Sequence, residues 1–435
     1  MHGERVVLPV DVSAVASVAQ GQLLIARQPA FARLFGVLGA VPTIGLNVPL
    51  AIVVALISVM HKRTSAWLPW TRMIFVAAVL GAIAFAVSAA VNGSPISTSS
   101  VGQFSMCALF ILAYRVTILN TMQAARIVGW MSMAMIAYYV FMGPENTQAN
   151  FGNLWKYGIA YPVAIAVVYW VTQATEKKAW AALALIGLGI FGTLLDYRSY
   201  GLVCFAAALI SLSKGRGRSG VLKTLIFGGA ALLVLATVLP LAMETGVFGS
   251  QVQARTAAQS EGDAPLVLGG RTEPPLSLAA IATKPLIGWG NVQEIDRSTI
   301  SRGSEIAQQF GMGSPSSYVP FWIRDDGRIS LHSVFFISWV EGGVLAVIFP
   351  TLVAGLFVVA ALRSTGRLAP LVTLVCMQGM WDLFFSPWGG NKSVVVAAAV
   401  ILAAFSLVGL KSMSEDEEPD SCGVVTGQLR SRRPI

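Results

Sequence analysis

The sequence predicts an all-α polytopic membrane protein of eleven or twelve transmembrane helices with one long outer loop. Three observations lead there. Hydrophobic residues make up 55% of the chain and charged residues 12%, with a mean hydropathy of +0.69. A soluble domain carries roughly 25% charged residues, so this chain cannot cover a globule with polar surface. Apolar segments recur at the roughly 17–25 residues that a helix needs to cross a bilayer. Lysine and arginine gather in alternate short connections, the bias of cytoplasmic loops.

The elements follow in order. Residues 1–32 form a polar N-terminal segment without the pattern of a cleavable signal peptide, expected in the cytoplasm. The stretch 33–60 is interrupted by Pro42 and Pro49 and is either one long kinked helix or two short ones around PTIGLNVP, which leaves the total at eleven or twelve. Spans are then expected near 71–92, 103–119, 125–142, 157–173, 179–195, 200–213 and 223–244, completing an N-terminal bundle over 33–244. As one helix, 179–213 would be about 52 Å long at ~1.5 Å per residue, against a hydrocarbon core of about 30 Å. It must fold back at LLDYRSYG, where its only interior charges, Asp196 and Arg198, fall. A long loop, 245–331, precedes the C-terminal helices of 332–410, expected near 333–360, 369–386 and 392–410. Residues 411–435 read as a disordered cytoplasmic tail.

The connections HKR (61–63), EKK (176–178), KGRGR (214–218) and RSTGR (363–367) fall on one side by alternation, and that side is assigned to the cytoplasm. The long loop is then outside. Its seven basic and eight acidic residues nearly cancel, and its mixture of Gly, Pro, Ser and charge predicts irregular structure with short amphipathic helices. One of these is expected in SLAAIATKPLIGWG, ended by Pro285 and the glycines after it.

Several chemistries are excluded by what is missing. The four cysteines show no CxxC spacing, and no HExxH, GxSxG or GxxxxGK[ST] run occurs. The net charge of +9 is explained by the basic cytoplasmic loops, so no nucleic-acid partner is expected. The acidic groups EID (294–296) and RDD (324–326) read as solvated loop carboxylates, and no metal or other cofactor is expected.

Three residues converge on the outer face. Arg198 lies at an outer turn, Arg271 lies in the long loop, and His332 opens the outer end of a membrane helix. Asp196 and Glu273 are the nearest acidic neighbours in sequence and the natural ion-pair partners of Arg198 and Arg271. His332 is one of only three histidines, with His2 and His61. Imidazole exchanges a proton near neutral pH, so His332 is a candidate general base. Two guanidinium groups suit a phosphate or pyrophosphate, to whose oxygens each donates paired hydrogen bonds. At a membrane face, such a group is most naturally the headgroup of a polyprenyl carrier.

The stretch LHSVFFISWVEGGVLAV resembles the signature of the O-antigen ligase family, a superfamily shared with O-antigen polymerases. The signature is a histidine, an acidic residue nine positions later, and then glycines; His332, Glu341 and Gly343 fit it, beside Gly342. Ser333 stands where the family carries asparagine, and Ala346 replaces the last glycine. Upstream, GGRTEPPLSLAAIATKPLIGWG is similar to the family's Gly-Arg, amphipathic helix and Pro-Leu-x-Gly-x-Gly pattern, matched by Arg271, Pro285, Gly288 and Gly290. YRSYGLVCFAAAL is similar to the earlier arginine segment and supplies Arg198. The resemblance implies a GT-C-type, metal-independent, inverting glycosyltransferase of the bacterial cytoplasmic membrane. Its donor would be a glycan on a polyprenyl (undecaprenyl) pyrophosphate and its acceptor a hydroxyl of a glycan or lipid. His332 would be the base, with Arg198 and Arg271 as pyrophosphate-binding and catalytic cations. Gly342, Gly343 and Ala346 are expected to let helices approach closely. A ligase and a repeat-unit polymerase both remain open, as does, in another class, a transporter or flippase of lipid-linked glycan.

Overall fold

The computed structural model describes residues 33–34, 36–37, 67–118, 120–144, 150–214, 217–259, 271–386 and 392–415. The expected spans within 33–60, the segment 1–32, His2, His61 and the tail beyond 415 lie outside the described residues. Among the described residues the molecule is helical, with one isolated bridge between Ile323 and Ile329 and no strand.

The first helices are α1 (Pro69–Asn92), α2 (Thr98–Thr117), α3 (Thr121–Met142) and α4 (Phe151–Ala174). The pair α5 (Lys178–Leu194) and α6 (Arg198–Ser213) follows. Next, α7 (Gly217–Lys223) runs through a π turn at Thr224–Gly228 into α8 (Gly229–Glu244). The long loop contributes α9 (Ser250–Gln259), α10 (Pro274–Thr283), α11 (Arg297–Gln309) and α12 (Pro315–Trp322). The chain then enters α13 (Val334–Arg363), α14 (Ala369–Phe385) and α15 (Lys392–Glu415).

Four of these, α1, α3, α4 and α13, are long and apolar enough to cross a membrane. Along α1, Met73, Val76, Leu80, Ile83, Val87 and Val91 are exposed, while Ile74, Ala77, Ala78, Gly81, Phe85 and Ala89 are buried. The spacing of three or four residues places each set on one helical face. An exposed stripe of this length is unstable against water and suited to lipid.

The 179–213 stretch folds back as its length requires. The turn Leu195–Tyr197 joins α5 to α6, with Asp196 in the left-handed region at φ 58°. Small residues let the two helices touch: a Cβ on Gly192 would strike Tyr200, and one on Gly201 would strike Thr193.

Cross-links tie the two ends of the bundle separately. At one end, the Lys214 ammonium donates to Ser364 Oγ and Thr373 Oγ1, both at 2.6 Å, and the Arg367 guanidinium donates to the carbonyls of Thr172 and Gln173. The connections expected in the cytoplasm therefore share one end where they are described. At the other end, Asn92 and Glu341 meet the 284–292 segment, and Ser333 meets Leu383.

The long loop contains the short helices expected of it and adds a core of its own. Leu276, Ala280, Trp289, Ile295, Ala307, Met312, Tyr318, Trp322, Ile329 and Leu331 form a separate apolar core that closes on Val340 of α13. The aromatic residues that a solvated loop would lack supply much of it. The expected helix begins at Pro274 and Pro275, whose fixed φ and missing N–H suit the first turn, and it ends before Pro285.

The expected role of Gly343 also needs correction. Gly343 does not let two helices approach; it breaks α13, with φ 66° and ψ −160°. The carbonyls of Val340 and Glu341 turn outward and accept from Trp289 N at 2.7 Å and Gly290 N at 2.9 Å, and Val344 N donates to Leu286 O at 3.1 Å. The Leu286–Gly290 segment is thereby zipped into the break, and the backbone groups freed by the kink find partners. Gly288 (φ 81°) permits it, because a Cβ there would lie 2.7 Å from Gly343 N and Val340 O. Gly342 faces Phe85 of α1, and the side chain of Ala346 packs beside it. Gly343→Ala places a Cβ against the Leu286 carbonyl in a conformation that L-residues avoid. It is expected to destabilise the protein by about 3 kcal/mol or more, read as a lowered Tm in detergent. Unchanged melting would mean that the break is not held as described.

Candidate functional site

The site is built where two segment starts meet. Ser333 caps α13: its hydroxyl accepts from Phe336 N at 3.2 Å and donates to Leu383 O at 3.2 Å, tying the helix start to the end of α14. His332 directly precedes the cap, and its imidazole is 37% exposed.

The second start is the Arg271–Glu273 segment before α10. Trp322, fully buried in the loop core, donates its indole N–H to Thr272 O at 2.6 Å and fixes this segment. Glu273 turns to His332, with Oε1 2.6 Å from Nδ1. Sequence proximity pairs Glu273 with Arg271; the structure gives it to a histidine 59 positions away. Among the described residues, Arg271 is left with no hydrogen bond and no carboxylate partner, half-buried at the edge of the loop core.

Arg271 acts electrostatically on Tyr197, the residue before Arg198. Burial, aided by the nearby Asp382 charge, pushes the Tyr197 phenol well above its ordinary range, with Arg271 pulling the other way. Arg198 is held differently. Its Nε lies 3.6 Å from Asp196 Oδ1, and its Nη1 donates to Thr256 Oγ1 at 3.1 Å, as an anchored side chain would. The structure thus pairs Glu273 with His332, with Arg271 two residues before Glu273 in the chain, and holds Arg198 separately on Asp196 and Thr256.

Two groups that the sequence reading left out stand at the same end of the bundle. Asp382, on α14 beside the Leu383 carbonyl that Ser333 grips, accepts from Gln378 Nε2 at 2.8 Å and pairs with Lys392 at 3.0 Å. Its charge also acts on the Tyr197 phenol. Lys392 lies in SPWGGNK, and a lone cation in an otherwise uncharged turn was the available signal.

The motif residues outside this cluster have structural work. Glu341 is 2% exposed; it accepts from Ser100 Oγ and, at 3.2 Å, from Val292 N. It borders a cavity of about 220 Å³ lined also by Phe85, Gln103, Ser330 and Ser338. Pro285 O accepts from the Trp339 indole at 2.9 Å. A Cβ on Gly290 would approach Ala89 Cα to 2.8 Å.

Among the described residues no group of three or more metal-binding side chains occurs. Asp296 is engaged as the cap of α11. The Thr299 N–H at 2.7 Å and the Ser298 hydroxyl hold its carboxyl below the usual range. No model of a known protein family matches the chain, and no curated protein matches it.

Proposed function

We propose that the protein is a membrane glycosyltransferase that moves a glycan from a polyprenyl pyrophosphate to an acceptor hydroxyl. It would be an O-antigen ligase-like enzyme of GT-C-type architecture with eleven or twelve spans, acting at the outer face of the bacterial cytoplasmic membrane in cell-surface polysaccharide assembly. The observation that carries this reading is the division of charge in the cluster. Glu273 is engaged by His332, and among the described residues the half-buried Arg271 has no anion of its own. An unpaired cation in such a place is costly unless a ligand supplies the opposite charge.

In the proposed reaction His332 takes the proton of the acceptor hydroxyl. The oxygen attacks the anomeric carbon as the bond from that carbon to the pyrophosphate oxygen breaks, inverting the centre. Negative charge grows on the departing pyrophosphate, where Arg271 and Arg198 stabilise it. Preorganised cations at a developing charge are often the largest catalytic contribution. Transfer to a terminal acceptor and joining of repeat units use the same chemistry. A flippase is disfavoured because Arg198, Arg271, His332, Asp382 and Lys392 lie at helix ends, whereas transporters place such groups near the midplane.

Orientation provides the first test. Asn150 and Ser301 are exposed at the loop end and Glu176 at the opposite end, while Cys107, Cys204 and Cys376 are buried. In a Cys422→Ser background, Asn150→Cys and Ser301→Cys are expected to react with an impermeant thiol reagent in intact cells, and Glu176→Cys only after lysis. The reverse pattern would put the cluster in the cytoplasm, away from an outer-face reaction.

A further inference from the structure

We infer that Glu273 is a positioning residue that holds His332 as its Nδ1–H tautomer and leaves Nε2 as the atom that takes the proton. An ionised carboxylate only accepts hydrogen bonds, so the ring nitrogen 2.6 Å from Oε1 is the one that carries hydrogen. In the neutral ring the lone pair then lies on Nε2. The same logic orients histidines in hydrolase triads and metal sites, where the partner of the second nitrogen fixes tautomer and ring plane.

Three features reserve Glu273 for this task. It directly precedes α10, at the position where a short polar side chain would cap the free N–H groups of the first turn. Here Pro274 and Pro275 supply no N–H, which leaves Leu276 as the one cap donor, and the Glu273 side chain makes no capping bond. The side chain is 12% exposed, so water does not compete freely for it. Its backbone is pinned on both sides, by Trp322 on Thr272 O and by Ser277, whose N–H and hydroxyl both donate to Glu273 O at 3.1 Å. Negative charge at a helix N-terminus is itself favourable.

The test reads the tautomer directly. With His2→Gln and His61→Gln, His332 is the only histidine, and ¹⁵N-histidine spectra of the full-length protein in lipid nanodiscs at alkaline pH report which nitrogen is protonated. The unmodified site is expected to show Nδ1 protonated and Nε2 bare. Glu273→Ala should shift the ring towards the Nε2–H form, and Glu273→Gln, which keeps an acceptor oxygen, should retain Nδ1–H. An Nε2–H ring beside an intact Glu273, or no change in a folded Glu273→Ala protein, overturns the inference. Its kinetic consequence rests on the glycosyl-transfer reading. There kcat should fall about 10²-fold in Glu273→Ala with the KM for donor little changed, and the glutamine variant should recover part of it. The spectrum needs no turnover. The expected tautomers without any transfer activity would uphold the pairing and remove the enzymatic reading alone.

Discussion

Arg271→Ala is expected to lower glycan transfer by about 10²–10³-fold, the range for removing one preorganised group at a developing charge. The protein should remain well folded. Arg271 makes no hydrogen bond or ion pair among the described residues, so its loss removes little native interaction. Donor binding should weaken, and Arg271→Lys should recover only part of the activity, because an ammonium cannot reproduce the bidentate fork. Arg198 offers the contrast. Its contacts with Asp196 and Thr256 help to hold the α5–α6 turn against α9, so Arg198→Ala should lose activity and some thermal stability together. Melting curves with rates of transfer separate the two arginines. Full activity in well-expressed forms of both alanine variants would end the pyrophosphate assignment.

His332→Gln is expected to lower transfer by about 10²–10⁴-fold, the usual contribution of a general base, with donor binding nearly unchanged. Glutamine matches the size and hydrogen bonding of the ring but cannot accept the proton. Folding should survive, since His332 lies outside α13 and the Ser333 cap, which starts that helix, is untouched. A histidine that served only as an interfacial contact of Glu273 would tolerate the change. Single-turnover transfer with saturating donor distinguishes these outcomes, because it reports the chemical step apart from product release.

Most of the helices could be placed from composition and length alone. The ten spans expected after residue 60 each have a helix, because apolar runs and the charged connections between them act over a few neighbouring residues. The α5–α6 turn was equally legible, since a 35-residue helix exceeds the bilayer and Asp196 and Arg198 mark the only place for the fold-back. What escaped were pairings across long stretches of chain. The zipper between Leu286–Gly290 and the α13 break uses backbone groups, which leave no trace beyond glycines that admit other readings. The Glu273–His332 pair was hidden because sequence proximity favours Arg271. Its one visible sign was the pair of prolines that removes two of the first-turn N–H groups beside Glu273. The loop core was likewise signalled only by Trp289, Tyr318 and Trp322, large aromatics out of place in a solvated segment.

The central claim is that the cluster cleaves a glycosyl pyrophosphate bond and does not merely hold or move its substrate. It is tested most directly with purified protein in lipid nanodiscs, a polyprenyl-pyrophosphate-linked glycan and a hydroxyl acceptor, following free polyprenyl pyrophosphate and glycosylated acceptor together by mass spectrometry. The account predicts release of the carrier in step with acceptor modification, without added metal, and loss of both in His332→Gln. Tight, Arg271-dependent binding of the donor with no cleavage in the presence of either lipid or glycan acceptors would contradict it.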